Sequence, residues 1–290
     1  TMELIVVGVV LLAASIHPFR ELILKGTVFP EAAYLGVILV WSAIAVIHAL
    51  VLGVDLGSGL PVLPLILIST AGLMFYYIGI LATLKTGDLS VYYPIIRAAP
   101  LFIVVFGWLI LGQRYGPVML AGVGLVMVGA FFLQSRWGSK LLQHPATFFT
   151  ATLAMSGMGA QSLADSEAMK TIEPVVLLVW EYLLLAPACG TFFILRKPAG
   201  RPVMEHLFGG WRKTPMRYLG AAVTSYLSYY LFLLSYQWGG NVVAVNSLRQ
   251  VSIPLSVILG GYFLKEGNTG SRLVWALVLV AGVIVIIFAR

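Results

Sequence analysis

The chain has 290 residues, of which 60% are hydrophobic and only 10% charged, and a mean hydropathy of +0.98; soluble domains average roughly 45–50% apolar residues. This excludes an ordinary soluble globular protein, and the lone Cys189 inside an apolar stretch excludes a disulfide framework and a cysteine-based metal site. The net charge of +7 comes without the aromatic or motif support of a nucleic-acid binder, so it bears on membrane orientation instead.

Apolar stretches fall near 4–24, 32–52, 62–84, 89–111, 117–134, 146–169, 174–195, 216–236, 242–264 and 272–289. A helix of about 20 such residues crosses a hydrocarbon core of about 30 Å. Lipid-exposed backbone must satisfy its own hydrogen bonds, and the alternation of a membrane barrel is missing from the sequence. The expectation is an all-α integral membrane protein with ten transmembrane helices, multi-pass in the cell membrane.

Helix 1 has Glu3 as its one early charge, where a signal peptide needs a basic start. Within it His17, Arg20 and Glu21 share a face, and Glu21 precedes Lys25 in the favourable i, i+4 order of a helix pair. Helix 3 brings Tyr76 and Tyr77, and helix 4 a stripe of Tyr93, Arg97 and Pro100. After helix 5 the apolar pattern is interrupted near 135–145, which divides the chain into repeats 1–140 and 141–290, together one transmembrane domain. Helix 6 holds Asp165 and helix 7 Glu181. The loop 196–217, rich in proline and glycine, reads as irregular with a short interfacial helix near 204–208. Helix 8 contributes Tyr226, Tyr229 and Tyr230. In helix 9, Asn246, Arg249, Ser252 and Ser256 follow one another at spacings of three, three and four, a single polar stripe.

The two halves match at an offset of 153 residues: Tyr76-Tyr77 on Tyr229-Tyr230, Gly107 on Gly260, Leu111 on Leu264, Gln113 on Glu266 and Gly129 on Gly282. Five helices per unit is an odd number, so the second unit enters the bilayer inverted, the arrangement that places a substrate site between repeats of secondary transporters. Twelve lysines and arginines lie at the connections after helices 1, 3, 5, 7 and 9, against three on the other side. The positive-inside rule then puts both termini outside.

Ionisable groups inside membrane helices cost roughly 2.5–3.5 kcal/mol each and face a cavity or a partner. Arg97 and Arg249 sit mid-helix in equivalent helices, and two guanidinium forks suit a carboxylate, phosphate or phosphonate. The alternative is that Arg20, Arg97 and Arg249 pair with Glu21, Asp165 and Glu181. Asp165 and Glu181 read either as proton-coupling groups or as counter-ions of the arginines. Tyr76 and Tyr229 read as cavity walls or as interfacial tyrosines, and His17 as a ligand or a hydrogen-bonded structural group. Pro94, Pro100 and Pro254 weaken helices 4 and 9. The sequence lacks a Gly-rich phosphate loop, His-Glu-x-x-His and Gly-x-Ser-x-Gly, and its four histidines are scattered. No enzyme, catalytic residue, metal or cofactor is expected.

Two five-helix repeats, a proline-bearing helix leading into Gly112-Gln113-Arg114 and again into Lys265-Glu266-Gly267, and last helices with Gly129 and Gly282 together resemble the EamA-type drug/metabolite transporters. Gln113 departs from the acidic residue usual there. The resemblance implies a central cavity within helices 1–4 and 6–9, braced by helices 5 and 10, and cytoplasmic termini, the reverse of the charge count. The expected function is alternating-access secondary transport of a small polar or amphipathic metabolite with an anionic group. Arg97, Arg249, Tyr76, Tyr229, Tyr93, Asn246 and His17 would bind it, and Asp165 or Glu181 would couple protons. Partners are the small-molecule substrate and membrane lipids, with no nucleic acid. Amino-acid export and lipid flipping or scaffolding are the alternatives.

Overall fold

The structure, a computed structural model, describes residues 3–24, 29–86, 89–134, 145–255 and 269–289. Among these the chain is helical with turns and has no strand. The elements are α1 (Leu4–Leu24), α2 (Pro30–Leu52), a 3-10 turn (Leu56–Val62), α3 (Leu63–Thr86), α4 (Leu89–Ile96), α5 (Ala99–Leu111), α6 (Pro117–Gln134), α7 (Pro145–Ala168), α8 (Pro174–Leu195), α9 (Val203–Phe208), α10 (Pro215–Gln237), α11 (Val242–Leu248), a second 3-10 turn (Arg249–Val251) and α12 (Thr269–Phe288).

Local chemistry explains these boundaries. Helices α2, α8 and α10 start with proline in the first turn, where its missing N–H has no partner to lose. Helix α2 stops at Gly53 and α5 at Gly112, both left-handed (φ 64° and 62°), the conformation glycine adopts without steric cost. Among the described residues, the segments Pro30–Leu52, Leu56–Ala82, Pro94–Leu111 and Pro174–Leu195 are long and apolar enough to cross a membrane.

Two stretches, each expected as one helix weakened by proline, are broken outright. The fourth divides into α4 and α5 at Arg97-Ala98, where Ala98 N–H turns back to Ile95 O at 2.9 Å. Pro100 is the cause: it has no N–H, and its ring crowds the carbonyl four residues earlier, at Ile96. The ninth passes from α11 into the turn Arg249–Val251, and there Pro254 acts in the same way on Gln250. Each break carries one of the mid-helix arginines. Ser256, the turn at 265–267 and the repeat boundary at 135–144 lie outside the described residues.

The helices pack in pairs: α1 on α10, α3 on α7, α2 on α8, and α6 on α12. Helices α3 and α7 approach backbone to backbone, since a Cβ placed on Gly72 would meet the Gly157 carbonyl oxygen. Likewise a Cβ on Gly129 of α6 would lie 2.6 Å from Leu279 N of α12. Small residues permit this proximity, which favours dispersion contacts where lipid offers little hydrophobic drive. The short helix expected near 204–208 forms as α9. The loop that carries it is pinned to α2 by Trp211, whose Nε1 donates to Ala32 O at 2.9 Å, and to α8 by His206 Nε2, 3.1 Å from Phe193 O.

Candidate functional site

A cavity of about 40 Å³ lies between α1, α2, α3, α7 and α10 and the turn after α11. Its lining includes His17, Tyr76, Gln161, Tyr229 and Arg249, together with Arg20. Since a water molecule needs roughly 10–15 Å³ of such space, the cavity in this conformation takes a few waters or one small polar group.

Three lining atoms are buried without a hydrogen-bond partner: His17 Nε2, Tyr76 OH and Arg249 Nε. A buried polar atom left unpaired costs about 1–3 kcal/mol, so three around one space mark it as built for a polar guest. The Arg249 guanidinium is held over the Phe232 ring, 4.5 Å from its centroid. Arg20 lies over Tyr34 and Tyr77 at 5.8 and 5.9 Å. Aromatic faces attract cations, and at Arg249 the edge that bears Nε stays open to an acceptor. The charges of Arg249, Arg97 and Arg20 all reach His17, so one small region concentrates positive potential.

A second polar cluster touches the cavity from behind Gln161 and Tyr229. Ser69 Oγ is 2.6 Å from Asp165 Oδ1 and 3.0 Å from Glu181 Oε1. Tyr229 OH is 2.7 Å from Asp165 Oδ2 and 3.4 Å from Glu181 Oε1. Gln161 Nε2 donates to Tyr229 OH at 2.8 Å and to Glu181 Oε1 at 3.2 Å. Hydroxyl and amide groups therefore surround the two carboxyls, and neither takes a guanidinium as its hydrogen-bonding partner.

The structure thus brings together His17, Tyr76, Tyr229 and Arg249 from the expected binding set, with Asp165 and Glu181 one hydrogen bond away. Arg97 is 3% exposed and donates through Nη2 to Ser252, in the other chain break, instead of lining the cavity. Asn246 is used structurally: it accepts from Ser162 Oγ at 3.0 Å and donates to Tyr236 OH at 2.7 Å. The side chain of Tyr93 lies outside the described residues. Tyr226 pairs with His48 across 3.0 Å, away from the lining. Trp41, Gln161, Ser225 and Ser228 of the lining, and Ser69 behind it, are residues that sequence reasoning passed over, whereas Arg20 was read as part of a polar patch with His17. Serines, a tryptophan and a glutamine in a helix gave no signal of their own.

Outside the apolar segments, Tyr115 OH donates to Gln113 Oε1 at 2.7 Å, and burial pushes its hydroxyl up to about 12. Both groups pack where Gly107 has no side chain, which explains why this turn follows a glycine-bearing helix.

No family model matches the chain, and no curated protein matches it. Among solved structures, 29 chains match. One of them, described only as the crystal structure of a protein, is 18% identical, covers 99% of this chain and 98% of its own, and superposes with a TM-score of 0.75. At that identity the likeness establishes a shared fold.

Proposed function

We propose that this protein is a secondary transporter that moves a small polar or amphipathic metabolite with an anionic group by alternating access. The observation that carries the reading is the group of three unpartnered buried atoms, His17 Nε2, Tyr76 OH and Arg249 Nε, around one cavity under concentrated positive charge. An oxyanion there accepts from all three. The small volume fits a closed stage of the cycle, with the substrate space opening as the helices move apart.

Two features support ten transmembrane helices in inverted repeats, 1–140 and 141–290, of the EamA drug/metabolite kind. The α1–α10 and α3–α7 contacts exchange under a rotation that swaps the repeats, while α2–α8 and α6–α12 map onto themselves. Both copies also break beside an arginine at corresponding places, and discontinuous helices are where such folds bind substrate. The protein is then a multi-pass protein of the cell membrane with both termini outside, and it catalyses no reaction.

The test is uptake of labelled carboxylates and phosphate esters into liposomes containing the purified protein. Transport of at least one anion, lost in Arg249→Ala, is the expected result; uptake of every transported compound unchanged by Arg249→Ala and Arg97→Ala overturns the reading. Stronger competition by free amino acids than by other anions assigns the site to a zwitterion.

A further inference from the structure

We propose that Asp165 and Glu181 together form a proton-binding site that holds one exchangeable proton, and that Arg249 sets how tightly it is held. The inference deepens the transport reading above, since it supplies that cavity with a coupling ion.

Counting the protons of the bridging groups leads to this occupancy. Ser69 and Tyr229 each carry one hydroxyl proton, and each lies nearer to Asp165 than to Glu181. When both donate to Asp165, that carboxylate accepts two hydrogen bonds. Glu181 Oε1 is then left with the Gln161 amide at 3.2 Å, and Glu181 Oε2 has no partner among the described residues. Glu181 is 0% exposed and Asp165 2%. An ionised carboxylate that is this buried and this poorly solvated is costly. A proton on Glu181 removes the buried charge, and Glu181 Oε1–H then donates to Ser69 Oγ, which donates its own hydrogen bond to Asp165 Oδ1. One proton therefore serves both acids, as in any carboxyl pair too close to ionise together. The hydroxyl of Tyr182, adjacent in the chain, is buried without a partner among the described residues too, and does not supply Glu181 Oε2.

The pair is wired to the cavity. Tyr229 and Gln161 line it on one side and bond the carboxyls on the other. Among the described residues, the other titratable and charged groups facing the pair are Tyr77 of α3, Tyr182 of α8, Tyr236 of α10 and Arg249 after α11. Of these Arg249 is the cation, and its charge reaches Asp165. An anion bound at Arg249 cancels that field at the carboxylate, so a proton enters the pair from cavity water. Anion and proton then travel in the same direction.

Infrared difference spectra of the full-length protein in liposomes, acid against alkaline buffer, test the site without any substrate. One protonated-carboxyl C=O band should titrate and vanish in Asp165→Asn/Glu181→Gln. Tyr229→Phe and Ser69→Ala keep the packing and should move the band, since each removes a bridging hydroxyl. Arg249→Gln imitates the anion-neutralised state and should shift the midpoint alkaline by about one unit, a tenfold gain in proton affinity, whereas Arg249→Lys should leave it in place. A titration that survives in the double variant, a band unmoved by Tyr229→Phe, an Arg249→Gln midpoint that stays or turns acid, or a response to sodium at fixed pH overturns the proposal. Failure of anion uptake with the titration intact counts against the transport reading alone.

Discussion

The two chain breaks, at Arg97-Ala98 and at Arg249–Val251, have the same origin and different outcomes. Both lie a few residues ahead of a proline that removes a helical hydrogen bond, and both present an arginine. In the second break the guanidinium stacks on Phe232 and lines the cavity with an unpartnered Nε. In the first it reaches across to Ser252. In the proposed repeat arrangement the two cations are equivalent, and local packing assigns one to the cavity and the other to joining the breaks. A symmetric scaffold can in this way hold an asymmetric substrate.

The strongest way to break this comparison is Arg249→Ala. Losing a charged hydrogen-bond donor is worth about 1.5–3 kcal/mol, so anion uptake into liposomes should fall roughly 100-fold, and an equal loss in Arg97→Ala would erase the distinction. Arg97→Ala should cost uptake only about tenfold but lower the melting temperature. Its shift should be non-additive with that of Ser252→Ala, with a coupling of about 1 kcal/mol or more in a double-mutant cycle. Phe232→Leu removes the ring beneath Arg249 and a cation–π contribution of about 0.5–2 kcal/mol, so uptake should drop roughly fivefold with the Arg97 effects untouched. The smallest change is expected of Tyr76→Phe. Uptake should weaken about threefold, through a lost neutral hydrogen bond, while thermal stability holds or rises because a buried unpaired hydroxyl disappears.

Most helix boundaries were legible because apolar runs and flanking prolines mark them directly; α1, α6 and α8 match their expected spans to the residue. The breaks were not, although Pro100 and Pro254 were in view, because whether a proline kinks a helix or ends it depends on what replaces the lost bond. The site divided along a similar line. His17, Arg249, Tyr76 and Tyr229 were legible because polar groups are rare and costly in apolar helices. Asn246 was grouped with Arg249 on one stripe. Yet the Asn246 amide is taken up by Ser162 and Tyr236, whereas Arg249, at the start of the 3-10 turn, lines the cavity. Ser69 and Gln161 gave no signal, since a helical serine ordinarily turns its hydroxyl to a carbonyl of its own helix, as Ser42 does with Ile38 O.

The backbone contact between Gly72 and Gly157 leaves no side chain between α3 and α7 at that point. Interfaces that slide do so on side chains that exchange rotamers, and at this crossing there are none to exchange. In the proposed cycle the two repeats, one contributing α3 and the other α7, therefore tilt about this line as about a fulcrum. A single methyl group added there is a wedge under the lever.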